Sequence, residues 1–270
     1  MVYYRYNSLE DYLISNPLTI DAQLDDGWGA KFPIKGREIE ATILYSDISY
    51  FSARTLELSS TEILIFVNNF FAWITAEALQ GTHGIVDKYI GDEIMIVFSK
   101  EFGSEDPFKE AVQAARWMSE HDALSFCPHI GIASGKVTVG YVGTPLKYSC
   151  SVFGIPLTFA NRCTSVKPQT EIPVSSSIVF LAKEWEGRNF EEVIPPRKIK
   201  FRDGKVQEMP QIWQLLEPRT EALKNIGNFE IQELVNTSIH LPMQSMEERA
   251  RNALEMLRQA GLYRTHTISL

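Results

Sequence analysis

The chain has 270 residues, of which 44% are hydrophobic and 22% charged, as expected for a globular protein with one large domain or a domain with appendages. Its formal net charge of −8 argues against a nucleic-acid polymer as partner, but not against a single nucleotide, because a binding site is local. No apolar run is long enough to cross a bilayer, and the first residues lack the features of a signal peptide. The three cysteines lack metal-ligand spacing and suit reduced thiols, so we expect a cytoplasmic protein without membrane contacts.

Residues 1–39 read as an N-terminal extension. Ser8, with Asp11 three residues later, predicts the start of a short helix. Residues 25–36 contain three glycines and a proline and predict a loop. No sensor or receiver domain fits into so short an extension.

Two acidic residues follow apolar segments in the next part of the chain. A short β-rich run over 41–46 ends at Asp47, and two runs over 85–90 and 93–98 flank the hairpin signal Gly91-Asp92. Taken singly, each aspartate suits a turn. Two carboxylates brought together repel unless a cation lies between them, and Mg²⁺ prefers oxygen ligands. The residues alone leave two interpretations, a pair of turn residues and a metal site.

The remaining elements follow in chain order. Apolar residues at helical spacing predict an amphipathic helix over 58–80, capped by Ser59 or Ser60. The pattern then predicts a helix over 105–124, paired strands over 129–143, a helix over 155–167, a strand and helix over 172–182, and strands over 193–201 and 209–216. One catalytic domain is expected over 40–217.

A helical C-terminal tail is expected over 218–270. Its clearest helix spans 245–261, with Ser245 as cap and Gly261 as the end. The apolar stripe of this helix could pack on its own subunit or on a partner.

Four blocks resemble the class III nucleotide cyclases, in the order and spacing of that family. They are YSDISYFS (45–52), KYIGDEIMIVF (88–98), HIGIASGKVTVGYVG (129–143) and SVFGIPLTFANRC (151–163). The resemblance implies an α+β fold with a ferredoxin-like core. It also implies a reaction that turns a nucleoside triphosphate into a 3′,5′-cyclic nucleotide and pyrophosphate with two ions, Mg²⁺ or Mn²⁺. The family's active site lies between subunits, so a head-to-tail homodimer with shared sites is implied.

The resemblance also assigns roles to residues. Asp47, Asp92 and the backbone carbonyl of Ile48 match the metal ligands, and Arg162 matches the arginine that stabilises the transition state. The positions that match substrate-binding residues are Phe51 and Ser52, whose amides would face the phosphates, Lys88 and Ser151 for the base, Thr158 for the ribose, and Lys200 or Lys205 for the phosphates. Lys200 is favoured because it closes a strand-like run. Glu93, next to Asp92, is interpreted as a strand residue.

Tyr50 departs from the family pattern, which has glycine at this position. A tyrosine ring beside the site leaves less room for a bicyclic base and favours a pyrimidine. This variant resembles the pyrimidine cyclases of bacterial Pycsar antiphage defence, in which the product activates a separate effector protein. Uracil is favoured over cytosine because Lys88 can donate to O4. A cytidylate cyclase, a conventional adenylate cyclase and a degenerate regulatory domain remain as alternatives, the last disfavoured because Asp47, Asp92 and Arg162 are all present.

Overall fold

The computed structural model describes residues 5–23, 25, 33–122, 126–144, 147–169, 177–201, 204–237 and 246–259. Its helices are α1 (Leu9–Ser15), α2 (Phe51–Thr55), α3 (Ser60–Trp73), α4 (Pro107–Glu120), α5 (Ile155–Thr164), α6 (Phe190–Val193) and α7 (Met246–Gln259). Its strands are β1 (Ile20–Ala22), β2 (Ile34–Asp47), β3 (Ile85–Ile90), β4 (Glu93–Phe98), β5 (His129–Thr144), β6 (Lys147–Phe153), β7 (Ser177–Leu181), β8 (Lys198–Lys200), β9 (Val206–Glu208), β10 (Trp213–Leu215), β11 (Arg219–Leu223) and β12 (Gly227–Asn236).

A mixed sheet organises the described chain, with the strand order β10-β12-β7-β5-β2-β4-β3. The segment β2-α3-β3-β4-α4-β5 is a βαββαβ unit, and its strands lie in the order β5-β2-β4-β3 with antiparallel neighbours. This is the ferredoxin-like arrangement, so the predicted fold class is confirmed. After β5 the chain passes through β6 and α5 and returns as β7, parallel to β5.

Alternating side chains of β2 face two apolar layers. Ile43 lies in a cluster with residues of α1 and α5, whereas Leu44 lies in a second cluster with residues of α3 and α4. The sheet is thus covered by helices on both faces, which places the loops at the strand ends at the edge of the core.

The long α3 helix follows the predicted capping signal. The hydroxyl of Ser59 accepts from the amide of Glu62, and the Glu62 carboxylate accepts from the Ser59 amide. Ser59 rather than Ser60 is therefore the cap. The hairpin predicted around Gly91-Asp92 is confirmed as β3 and β4, and Gly91 has the positive φ of 64° that such a turn requires.

The strand pair predicted over 129–143 is wrong. These residues form one strand, β5, because it pairs continuously with β2 from Asp47↔His129 to Gly36↔Gly140. Its hairpin partner is β6 instead. The later strands are shorter than predicted, at 198–200 and 213–215, and residues 190–193 form a helix. Of the segment predicted over 172–182, residues 172–176 lie outside the described residues.

Both predicted domain boundaries fall within the main sheet. β2 begins at Ile34, pairs with β1 over Ile34–Gly36 and runs through the boundary at 39/40, so the loop predicted over 25–36 is wrong at its end. Ser8 caps α1 as predicted, and α1 packs on the core. The helical description of 218–270 is wrong for its first part, because β11 and β12 belong to the sheet and β12 lies between β10 and β7. Pairing with β10 and β7, together with burial of its last six residues, stabilises β12 as a strand.

The C-terminal helix packs on its own chain. Ala253 and Leu254 of α7 are buried in the cluster that contains α3, and Arg258 lies 3.8 Å from Glu62. The predicted cap Ser245 and end Gly261 lie outside the described residues. Among the described helices, none combines the length and apolar character needed to cross a membrane.

Candidate active site

Strands β2 and β4 bring acidic residues to one edge of the sheet, where His129 of β5 lies beside them. Asp47 closes β2, where it is in register with Glu93 of β4 on one side and His129 of β5 on the other. Asp92 occupies the hairpin tip directly before β4, and its carboxylate accepts a hydrogen bond from the backbone amide of Ile48. The two aspartates predicted as metal ligands are therefore placed together by strand register and by this bond.

The carboxylates at this edge share a desolvated, mutually repulsive environment. Burial raises the pKa of Asp47 to about 7, and the negative charges of Asp92 and Glu93 add to the effect. Burial also raises the pKa of Asp92. The Asp47 Oδ1 atom is buried and has no hydrogen-bond partner among the described residues. An unpartnered buried carboxylate oxygen beside a second carboxylate fits a divalent cation, which would supply the missing positive charge.

The protein side chains alone offer few ligands for such an ion. Within the described ranges, no group of three His, Cys, Asp or Glu side chains is placed to hold a metal. Asp47 and Asp92 would thus bind ions together with backbone or substrate oxygens, which agrees with the predicted role of the Ile48 carbonyl. Mg²⁺ commonly binds in this way, through one or two carboxylates plus phosphates.

His129 and Arg54 were missed in the sequence and lie next to this edge. The His129 Nδ1 atom is 3.9 Å from Asp47 Oδ1, too far for a hydrogen bond. Burial, together with the positive charge of Arg54, lowers the pKa of His129, so the imidazole is neutral at neutral pH. Arg54 is buried and donates to the Ser49 hydroxyl at 3.4 Å. No sequence motif indicated either residue.

Tyr50 projects from the same edge. It has a left-handed backbone conformation, with φ 55° and ψ 31°, and its side chain is 59% exposed. Its ring contacts the His129 ring edge-on, with 6.3 Å between centroids. The left-handed geometry explains why a glycine suits this position, since a tyrosine in this conformation lowers the free energy of unfolding by about 1 kcal/mol. The ring is free to meet a ligand beside Asp47 and does not fill the core.

The two backbone amides after Tyr50, those of Phe51 and Ser52, were predicted to face the phosphates, but the first is hydrogen-bonded within the chain. The Phe51 amide donates to the Ile48 carbonyl at 3.2 Å, so it would have to leave this bond to reach a phosphate. α2 has only five residues, too few for a strong macrodipole. Ser52 is exposed at its start.

Helix α5 carries the predicted catalytic arginine close to Glu93. Gly131 of β5 permits this packing, because a Cβ there would collide with the carbonyl oxygen of Ala160. Asn161 donates to the Glu93 carboxylate at 2.8 Å, and the positive charge of Arg162 acts on Glu93 as well. Burial nevertheless raises the pKa of Glu93 to about 7. Glu93 is therefore more than a strand residue, and its contact with Asn161 was missed.

The outer face of α5 presents the residues predicted to meet substrate. Thr158 is exposed one turn before Arg162, on the same face of the helix. The Arg162 Nε atom is buried and lacks a hydrogen-bond acceptor among the described residues. A donor in this state is available to an anionic ligand.

The two residues predicted to select the base are in direct contact. Lys88 Nζ donates to the Ser151 hydroxyl at 2.5 Å, although 63 positions separate them in the chain. Asp87, which sequence reasoning missed, lies 3.1 Å from Lys88 Nζ and accepts from the Ser151 hydroxyl at 2.8 Å. These three residues form a hydrogen-bonded unit between β3 and β6.

The match to known families decides the identity of this fold. Residues 35–208, well over half of the chain, match the family described as the adenylate and guanylate cyclase catalytic domain. The chain is a member of this cyclase family. The match begins in β2 and ends in β9, and it includes every predicted site residue.

Individual relatives of the cyclase domain are distant. A terminal-differentiation specific adenylate cyclase of Dictyostelium discoideum is 27% identical over 129 residues, which are 45% of this chain and 6% of that protein. An uncharacterised Mycobacterium tuberculosis protein is 25% identical over 156 residues, 56% of this chain and 29% of that protein. The matched segments thus span under a third of either curated relative.

Solved structures share the fold. The adenylyl cyclase CyaB from P. aeruginosa superposes with a TM-score of 0.54 at 17% identity, covering 76% of this chain and 98% of that one. The guanylyl cyclase Cya2 gives a TM-score of 0.52 at 18% identity, covering 77% and 97%. Identities this low establish the fold and leave the nucleotide open.

The two lysines predicted to bind phosphate lie close together in the chain. Lys200 lies at the end of β8, in register with Val206, and Lys205 lies next to β9 on the same exposed hairpin. The Phe201 amide donates to the Lys205 carbonyl at 2.8 Å. Both lysines remain candidates.

Proposed function

We propose that this protein is a uridylate cyclase, which converts UTP to 3′,5′-cyclic UMP and pyrophosphate. The observation that carries the cyclase activity is the pairing of Asp47 and Asp92 at one strand edge, with the buried Asp47 Oδ1 lacking a partner among the described residues. Membership of the cyclase family supports the reaction type.

The chemistry is an in-line displacement at the α-phosphorus. The 3′-oxygen of the ribose forms a bond to this phosphorus, and the bond to the bridging oxygen of pyrophosphate breaks. Asp47, Asp92 and the Ile48 carbonyl would hold two divalent ions, Mg²⁺ or Mn²⁺, which when bound make the 3′-hydroxyl more acidic and offset the phosphate charge.

The chain's own residues position the substrate and stabilise charge. The Arg162 guanidinium spreads positive charge over the phosphoryl oxygens in the transition state. Thr158, one helical turn earlier, is placed to contact the ribose. Lys200 or Lys205 binds the phosphates, and the amide of Ser52, at the start of α2, also contributes to phosphate binding. Lys88 and Ser151 contact the base.

Tyr50 supports a pyrimidine. An exposed ring beside Asp47 takes up space that a bicyclic base would need, and a purine would hold its α-phosphate off the in-line path. Lys88, which can only donate, favours the O4 carbonyl of uracil over the N4 amine of cytosine.

A head-to-tail homodimer would complete each site, with the metal ligands from one subunit and Lys88, Ser151 and Arg162 from the other. Exposed apolar side chains lie on the elements that carry these residues, β3, β6 and α5, and on β5 where it pairs with β6, and they support an interface: Tyr89, Ile90, Val142, Tyr148, Phe153 and Ile155. An exposed apolar patch of this kind is typical of an interaction surface.

The biological role we propose is a second messenger in bacterial antiphage defence. Its support is the D-I-x-Y-F variant at 47–51, and the product would act on a separate effector protein in the cytoplasm. Cys150 and Cys163 form no disulfide in the described part of the chain, which supports that compartment.

Two related activities compete with this proposal. A cytidylate cyclase would need N3 of cytosine to accept from Lys88. A conventional adenylate cyclase is favoured by the names of some relatives.

The test is incubation of pure protein with Mn²⁺ and each of the four NTPs in turn. Detection of a 3′,5′-cyclic product and stoichiometric pyrophosphate would support a cyclase. Absence of product from all four NTPs, in protein that binds Mn²⁺, would contradict the proposed activity and support a degenerate cyclase-like domain with a regulatory role.

A further inference from the structure

The side chain of Asp87 is almost fully buried beside the residues that contact the base. It is only 1% exposed, and it interacts with Lys88 Nζ at 3.1 Å and with the Ser151 hydroxyl at 2.8 Å. The backbone amide of Val152 donates to it as well. A carboxylate this deeply buried is retained only where such partners offset its desolvation.

A β-bulge makes this contact possible. The register between β3 and β4 shifts between Val86 and Lys88, with Asp87 as the inserted residue. In a regular strand, Asp87 and Lys88 would point to opposite faces of the sheet. The bulge lets both side chains reach Ser151, and bulges often redirect side chains next to active sites.

The protons of this unit can be assigned from chemistry alone. An ammonium group can only donate and a carboxylate can only accept. The Ser151 oxygen accepts from Lys88, so its own proton goes to Asp87. Ser151 therefore has no proton left for a ligand. Lys88, whose side chain is 39% exposed, is the one of these three residues that can still donate to a ligand.

We propose that Asp87 is a positioning residue that determines base specificity. It fixes Lys88 and Ser151 as an edge that contacts the base, and the only proton of this edge that is free to bind the base belongs to Lys88. The edge then takes a base that presents an acceptor to Lys88, such as O4 of uracil. This inference rests on the proposed function for its ligand, but the arrangement of Asp87, Ser151 and Lys88 does not.

Asp87→Asn tests the inference, because the amide keeps the size of the side chain but reverses the bond to Ser151. The amide introduced at position 87 would donate to Ser151, whose proton is then free to turn toward the base. We expect KM for UTP to rise about tenfold, the loss of one charge-assisted hydrogen bond, with kcat changed less than about threefold. The ratio of UTP to CTP turnover should fall, which a merely structural role would not produce.

Glu38→Gln is the matched control. Glu38 pairs with Lys136 at 3.3 Å, an exposed carboxylate–lysine pair on β2 and β5 of the same sheet, and neither residue is among the predicted site residues. This variant should leave KM, kcat and the nucleotide ratio at their wild-type values. An unchanged KM and ratio in well-folded Asp87→Asn would overturn the inference while leaving the cyclase activity intact.

A second measurement does not depend on activity. Acylation of lysines by a limiting reagent, followed by mass spectrometry, reports how firmly each ammonium group is held. Asp87→Asn should speed modification of Lys88 severalfold without affecting Lys136. Glu38→Gln should speed modification of Lys136 without affecting Lys88. Equal Lys88 rates in wild type and Asp87→Asn would overturn the positioning role even in an inactive protein, whereas absence of any cyclic product would overturn only the proposed function.

Discussion

The Asn161 side-chain amide donates a hydrogen bond to the Glu93 carboxylate at 2.8 Å. Glu93 follows Asp92, and Asn161 precedes Arg162. In a head-to-tail dimer, these neighbours would serve different active sites, so this bond inside one chain connects the metal-binding edge of one site with the arginine helix of the other.

Asn161→Ala should therefore misplace Arg162 and lower kcat by about tenfold, the effect of losing a hydrogen bond to a charged group. KM for the nucleotide should change little. Asn69→Ala is the control, because Asn69 donates to the Ile65 carbonyl at 2.7 Å within α3. Equal kcat values for both variants and the wild type would contradict a role for the Asn161 contact.

Mixing two inactive variants tests the shared site. Asp47→Ala should lose turnover through loss of a metal ligand, and Arg162→Ala through loss of transition-state stabilisation. Their heterodimer has one site with both faults and one site with neither, so mixing should restore activity. If mixed-tag purification shows heterodimers and turnover stays at the level of the separate variants, the sites are not shared.

Metal binding should depend on pH through the carboxylate edge. In the metal-free fold the pKa values of Asp47 and Glu93 are about 7, against ordinary values of 3.8 and 4.5. The folded state therefore holds protons that the unfolded state has already lost, so the free energy of unfolding falls as pH rises from about 4 to about 7. Mn²⁺ binds the deprotonated carboxylates, so its stabilising effect should grow over the same range.

Thermal unfolding with Mn²⁺ or with EDTA measures this effect. The rise in Tm on adding Mn²⁺ should be larger at about pH 8 than at about pH 5.5. Asp47→Asn should lose most of the Mn²⁺ effect. A Tm rise in Asp47→Asn as large as that of the wild type, at both pH values, would remove Asp47 from the metal site.

Tyr50 should set the preference for base size at a cost in stability. Tyr50→Gly relieves the left-handed strain and should raise the free energy of unfolding by about 1 kcal/mol. It should also lose most pyrimidine turnover and admit purines slowly, because misplacement by about 1 Å can cost about a hundredfold in rate. Tyr50→Phe keeps the ring and should keep the preference. A Tyr50→Gly enzyme with the wild-type nucleotide ratio would show that the ring only packs.

Local signals predicted much of this fold. Ser8 was read as one cap and Ser59 or Ser60 as another, and Gly91-Asp92 as a hairpin, because each involves residues within four positions of one another. β12 was missed, since its stability comes from pairing with β10 and β7, which are distant in sequence. The same holds for β5, whose sixteen residues form one strand because β2 pairs with residues 129–140 and β6 pairs with the rest.

The predictions for the site divide in the same way, between motifs that the sequence shows and contacts that depend on the fold. Motifs located Asp47, Asp92, Lys88 and Ser151, and the fold places Asp47 with Asp92 and Lys88 with Ser151, while their roles stay predictions. Asp87 was missed because its role depends on a bulge that pattern alone does not reveal. The contact between Asn161 and Glu93 was missed, although both residues lie in the family blocks, because it depends on how closely α5 packs on β5 at Gly131.

Competition among ATP, GTP, UTP and CTP at equal concentrations, with Mn²⁺ and the wild-type protein, tests the central claim most directly. Mass spectrometry of the cyclic products gives the preference in one reaction. The account predicts cyclic UMP as the main product, with cyclic CMP next and the purine products far behind. Cyclic AMP in excess over both pyrimidine products would contradict it.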